Sequence, residues 1–178
     1  MAKDLSAEQL NHLRQSLHIL PMAEDVYNTK ASQPPAGWKA VADSSLLTGQ
    51  WNGGFFARIY ERTGPVPPGE TRYVVAFRGT DSIRDKHNLD ADLQIIFRKL
   101  PAQHHQSVDF VKNFFEKNNI KPADVAFTGH SLGGYLAITT GMTLGIHKIW
   151  AFNSPGPTKQ IKDELSNKIP GISKPPCK

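Results

Sequence analysis

The stretch from Val125 to Tyr135, VAFTGHSLGGY, constrains the fold more than any other part of the chain. Val125, Ala126 and Phe127 read as a short, fully buried strand, Gly129 and Gly133 bracket Ser131 as G-x-S-x-G, and a helix is predicted from about 132 to 143. A strand that turns directly into a helix holds its corner residue in a strained geometry. Side chains two positions away would collide there, so those positions call for glycine. The same corner exposes the Ser131 hydroxyl above the sheet, aims the Leu132 N–H at the same space and sets the positive end of the helix beneath it. Such a corner displays a nucleophile. The plainer alternative is an ordinary connection with a capping serine.

With 178 residues, of which 39% are hydrophobic, the chain is long and apolar enough to bury one sizeable core, which excludes disordered and fibrous classes. The first residues lack the apolar run of about 7 to 15 residues that a secretory signal needs. No stretch approaches the roughly 18 consecutive apolar residues of a membrane span. A cytoplasmic location is therefore the default expectation, with leaderless export as the alternative. The only cysteine, Cys177, excludes an intrachain disulfide. Of the formal charge of +5, residues 157–178 carry +3. That lysine-rich, proline-containing stretch reads as a solvated tail, and it also suits transient contact with an anionic membrane surface. No aromatic residues interleave with its lysines, so nucleic acid is not expected as a partner.

Leu10, Leu13, Leu17 and Leu20 recur at helical spacing after a capping box of Ser6 and Gln9, predicting an amphipathic helix over 6–20 that Pro21 breaks or bends. His12 and His18 lie off its leucine stripe and read as surface residues. Strands are predicted at 38–42, 55–61 and 71–77. The last two are joined by a loop too short for a crossover helix and so pair antiparallel, with 71–77 central in the sheet. A helix with one apolar face is predicted over 101–119, a strand at 148–152 and a weak polar helix near 158–168. The strand, helix, strand order implies parallel pairing with right-handed crossovers. Asn88, Asp90 and Asp92 suggest a calcium loop, but Leu93 and Lys99 stand where that loop needs glycine and glutamate, so no metal and no cofactor is expected. Residues 81–100 read instead as a flexible segment with a short helix, followed at 93–97 by a strand or an apolar flap.

F-R-G-T at 77–80, D-A-D-L at 90–93, G-H-S-L-G-G at 129–134 and F-N-S-P-G at 152–156 together resemble the class 3 lipases of the α/β-hydrolase superfamily, over about residues 5–157. The resemblance implies a mostly parallel sheet with flanking helices and hydrolysis of lipid or other acyl esters. Ser131 would be the nucleophile, Thr80 and Leu132 the oxyanion-hole donors, and 81–92 a lid over an acyl-binding groove. Thr80 also fits on physical grounds, since it follows a central strand beside the nucleophile's own.

The chain departs from that family in its triad. The order Ser, then Asp or Glu, then His cannot be completed, because His147 is the only histidine after Ser131, and Asp163 and Glu164 follow it. His147 sits at the far end of the helix, about 18 Å from the corner at 1.5 Å per residue. His130 points away from the nucleophile by alternation. His87, in the lid segment, remains as a weaker candidate base. The expectation is a single α/β-hydrolase-like domain over 1–178 that is C-terminally incomplete, with acid and histidine supplied by a missing segment or second chain. The alternatives are a catalytically inactive lipase-like domain serving binding, regulation or assembly, and a compact hydrolase using an unorthodox base.

Overall fold

A computed structural model of the chain describes residues 5–46, 54–80 and 102–168. Five strands form one mixed sheet in sequential order: β1 (Trp38–Asp43), β2 (Ala57–Arg62), β3 (Tyr73–Phe77), β4 (Val125–His130) and β5 (Ile149–Phe152). β1, β2 and β3 pair antiparallel, whereas β3, β4 and β5 run parallel, as the sequence order implies. Helix α1 (Ala7–Asp25) covers one face of the sheet. Helices α2 (Ala102–Asn118) and α3 (Leu132–Leu144) lie on the other, and α4 (Lys159–Lys168) packs on α3. The result is a three-layer α/β fold.

Alternation along the strands builds both cores. Val75 and Phe77 of β3 and Val125 and Phe127 of β4 face α2 and α3, while Val74, Ala76 and Ala126 face α1. Both strands are buried on both sides, which is why they read as continuous apolar runs. Helix α3 ends at Gly145, whose φ of 71° is left-handed; the Ile146 N–H then reaches back to the Gly141 carbonyl at 2.9 Å. That closure lets the chain re-enter the sheet as β5.

Three expectations need correction. The Ser6–Gln9 capping box is present, but α1 runs through Pro21 to Asp25. Proline removes one hydrogen bond, toward Leu17, and the burial of Met22, Ala23 and Val26 just beyond it holds the helix together. The leucine stripe is not the buried face: Leu10, Leu13 and Leu17 are exposed, and Ile19, Met22 and Ala23 do the packing. The stretch from 157 opens with a packed helix, because Ile161 and Leu165 are 2% exposed against Leu132 and Tyr135. Residues 81–100, with their calcium-loop, strand and lid readings and His87, lie outside the described residues, as does the tail beyond 168. Among the described residues no helix is long and apolar enough to cross a membrane, and no group of three ligand-type side chains could hold a metal ion.

The C-terminal end of α1 is fixed to the sheet by a buried ion pair. Arg58 of β2 is 2% exposed and donates to the Asp25 carboxylate at 3.1 Å, to the Asp25 carbonyl at 3.0 Å and to the Asn28 carbonyl at 3.0 Å. Tyr60 and Ser32 hydroxyls, each at 2.7 Å, and the Gln33 N–H, at 2.5 Å, also donate to that carboxylate. Burial by itself would raise the Asp25 pKa. The hydrogen bonds from Ser32, Tyr60 and Gln33 and the Arg58 charge outweigh it and hold the carboxyl below its ordinary 3.8.

Candidate active site

At the end of β4 the chain turns at Ser131, with φ 55° and ψ −123°, and α3 begins at the next residue. That combination is almost confined to glycine, and an L-residue there costs about 1–3 kcal/mol. The neighbouring contacts over-determine it. Ser131 N–H donates to the Phe152 carbonyl of β5 at 3.0 Å, and its own carbonyl accepts from Tyr135 N–H at 3.1 Å. The serine side chain makes no capping bond to α3, so the capping alternative does not describe its geometry.

Glycine is required here by space. A Cβ on Gly129 would lie 2.4 Å from the Gly133 carbonyl, and one on Gly133 would lie 2.1 Å from the Phe77 carbonyl oxygen. Both obstacles are backbone, which cannot swing aside. Gly79 and Gly134, which the five-letter motif does not cover, are equally confined: a Cβ on Gly79 would meet the Tyr27 hydroxyl at 2.5 Å and the His130 carbonyl at 2.6 Å, and one on Gly134 would meet Ser154 Cβ at 2.6 Å. The loop after β3 and the F-N-S-P-G segment are thereby pressed against the corner from two sides. Their signal in the sequence was the pair of motifs themselves, F-R-G-T and F-N-S-P-G. Tyr27, far upstream, carried no local signal.

Thr80 and Leu132 line the same cavity, of about 260 Å³, with Phe55 and Leu136 as its apolar wall and Arg78 and Gln103 adding polar groups. Leu132 opens α3, where the first N–H groups have no partner within the helix. Arg78 braces the rim, donating to the Gly54 carbonyl at 3.1 Å with its guanidinium 5.4 Å from the Phe56 ring centroid.

Among the described histidines none is hydrogen-bonded to Ser131. His104, 3% exposed, contacts Thr139 Oγ1 through Nδ1 at 3.2 Å and Thr143 Oγ1 through Nε2 at 3.4 Å, joining α2 to α3. His147 is exposed just before β5, at the end of the sheet opposite Ser131. His130 is exposed beside the corner, and the exposed His12 ring lies 5.7 Å from that of Trp150. Below the corner, Tyr135 is fully buried. Burial, aided by the Glu164 charge, pushes its phenol up to about 12.

An α/β sheet with a strained serine at a glycine-packed strand-to-helix corner, opening beside a partly apolar cavity, defines the class of protein. The chain belongs to the phospholipase-like family: the profile of the Tle-like phospholipase domain matches residues 20–169. Among curated proteins none matches the chain. The family match supports lipid ester hydrolysis as the general function and reaches the lipase-like part of the sequence reading.

Proposed function

We propose that this chain is the nucleophile-bearing part of a serine ester hydrolase of the α/β-hydrolase, class 3 lipase type, acting on acyl esters of lipids. The observation that carries the proposal is the backbone of Ser131, φ 55° and ψ −123°, locked between Gly129 and Gly133, with Thr80 and the next residue, Leu132, lining one cavity beside it. In this reading Ser131 Oγ attacks the acyl carbon, losing its proton to a base, and the carbonyl oxygen becomes an anion held by the N–H groups of Leu132 and Thr80. Collapse expels the alcohol, which takes up the proton, and water then cleaves the acyl-serine. Losing one such donor costs about 2.7 to 4 kcal/mol of transition-state stabilisation.

The base and its acid come, in this proposal, from a second chain or a segment outside the described residues, because His104 is bonded to α3, His147 lies at the opposite end of the sheet, and His130, next to Ser131 in the chain, makes no hydrogen bond to it. His87 is the weaker candidate within the chain. The same observation favours a second reading, an inactive lipase-like domain that serves binding or assembly, since a serine without its base stays a protonated alcohol. A fluorophosphonate probe separates the two. Labelling that disappears in Ser131→Ala, with the chain alone or after a complementing polypeptide is added, supports the hydrolase; no labelling in either condition leaves the inactive domain.

A further inference from the structure

Between the loop that bears Thr80 and the rest of the molecule stands one hydrogen bond that the proposed chemistry does not by itself require. Gly79 N–H donates to the Tyr27 hydroxyl at 3.1 Å. Gly79 is buried and is confined on its other side by the corner, with the His130 carbonyl and the Gly133 nitrogen both close to the place a Cβ would take. The loop is thus gripped between a phenol and the backbone of the elbow. Its next residue is Thr80.

The phenol is itself held on both sides. Asp25 and Asn28, which flank Tyr27, both give their carbonyls to Arg58, and Asp25 also gives its carboxylate. Arg58 lies opposite Ala76 in the register of β2 on β3, one residue before the end of the strand that leads into the Thr80 loop. A rigid path therefore runs from a buried ion pair, through two residues of turn, to the amide that immediately precedes the proposed oxyanion donor.

We infer that Tyr27 is a positioning residue for the oxyanion loop: its hydroxyl fixes the peptide between Arg78 and Gly79, and through it the direction in which the next peptide presents the Thr80 N–H to the cavity that Thr80 and Leu132 line. This rests on the hydrolase reading above. The physical reason is that a hydrogen-bond donor acts on a developing charge only if it is already in place, and an error of about 1 Å in a reacting geometry costs about a hundredfold in rate. Tyr27 touches neither substrate nor Ser131 in this account and acts through Gly79.

Tyr27→Phe removes the acceptor and keeps the ring. Two measurements on the full chain test it: hydrogen exchange of the Gly79 and Thr80 amides, and the rate of fluorophosphonate labelling or ester hydrolysis in whichever form the wild-type chain reacts. The expected result is faster exchange at Gly79, kcat or labelling rate lowered about 10- to 100-fold, KM within about twofold and an unchanged melting temperature. Gly79 protection that stays as in the wild type overturns the inference. So does lost protection with an unchanged rate, or a fall in rate matched by a fall in melting temperature. A wild-type chain that never labels, while Tyr27→Phe still frees the Gly79 amide, overturns the catalytic role together with the hydrolase reading but leaves the grip itself measured.

Discussion

The corner at Ser131 and the outer rim formed by α1 and β5 are joined directly, through the Ser131 N–H to Phe152 carbonyl bond, yet they are packed in opposite ways. At the corner four glycines meet obstacles closer than 3 Å to where a Cβ would go. At the rim Leu10, Leu13 and Leu17 stand 41%, 48% and 61% exposed, and an open groove of about 490 Å³ runs between Leu5, Leu13 and the β5 residues Ile149 to Phe152. Crowding at the corner keeps a strained serine in place, because interiors at crystal-like density have no room to relax. The rim imposes no such restraint. Mutations should therefore be felt steeply at one and barely at the other.

The largest contrast is expected from Gly133→Ala. Its methyl group would need the Phe77 carbonyl, 2.1 Å away, to move, and that carbonyl belongs to the central strand. A loss of about 4 kcal/mol or more in urea unfolding is expected, the range reserved for strain and overpacking at special positions. A loss below about 1 kcal/mol would show that the corner yields as readily as the rim.

Next comes Asp25→Asn, which tests whether the support behind the corner is as rigid as the corner. Removing one partner of a buried pair leaves Arg58 uncompensated and costs about 3–5 kcal/mol. The pH dependence has a definite sign. The folded carboxyl titrates below the ordinary 3.8, so its contribution is complete above that value and is lost as pH falls through the lower folded value. The gap between wild type and Asp25→Asn should thus narrow on acidification from about pH 5 to pH 3, as measured by unfolding at each pH. At the other extreme, the Tyr135 phenol titrates near 12 against an ordinary 10.0. Its contribution is complete below pH 10 and is lost as pH rises through 12; Tyr135→Phe should blunt that alkaline loss.

The same contrast explains what could be read from the chain beforehand. Glycine between a buried strand and a helix is a steric requirement on individual positions, so the corner, the central place of 71–77 and the parallel pairing were legible from local pattern. Leucine periodicity states only that a helix has an apolar face. It does not say what covers that face, and burial moved to Ile19, Met22 and Val26 because those residues reach Val74, Ala76 and Ala126. Pro21 misled for a related reason: a local rule ended the helix, and tertiary packing beyond it continued it. Tyr27 and the Asp25–Arg58 pair were invisible because their partners lie across the fold. No spacing in the sequence links Tyr27 to Gly79.

A smaller effect, of opposite sign, is expected at Ser131 itself. Replacing it by glycine removes the Cβ that makes φ 55° with ψ −123° costly, so Ser131→Gly should raise stability by about 1 kcal/mol while abolishing probe labelling. Glycine also loosens the unfolded chain, which offsets part of the gain. Ser131→Ala keeps the strain and should leave stability within about 0.5 kcal/mol of wild type. Equal stability of the two variants would mean that the corner is relaxed, and the contrast with the rim would then rest on crowding alone.

The smallest effect is expected at the rim. Leu13→Ser and Leu17→Ser remove side chains that are already 48% and 61% exposed, so each should change unfolding free energy by no more than about 0.5 kcal/mol. Serine lowers helix propensity by a few tenths of a kcal/mol at most, which sets the floor. A loss above about 2 kcal/mol in either variant, at a protein concentration where light scattering reports a monomer, would mean that these leucines are covered within the folded chain. A loss of that size that grows with protein concentration would instead assign their cover to association, since binding partners stabilise by mass action. In both cases the rim would join the corner as a packed region, and the difference between them would be one of chemistry rather than of density.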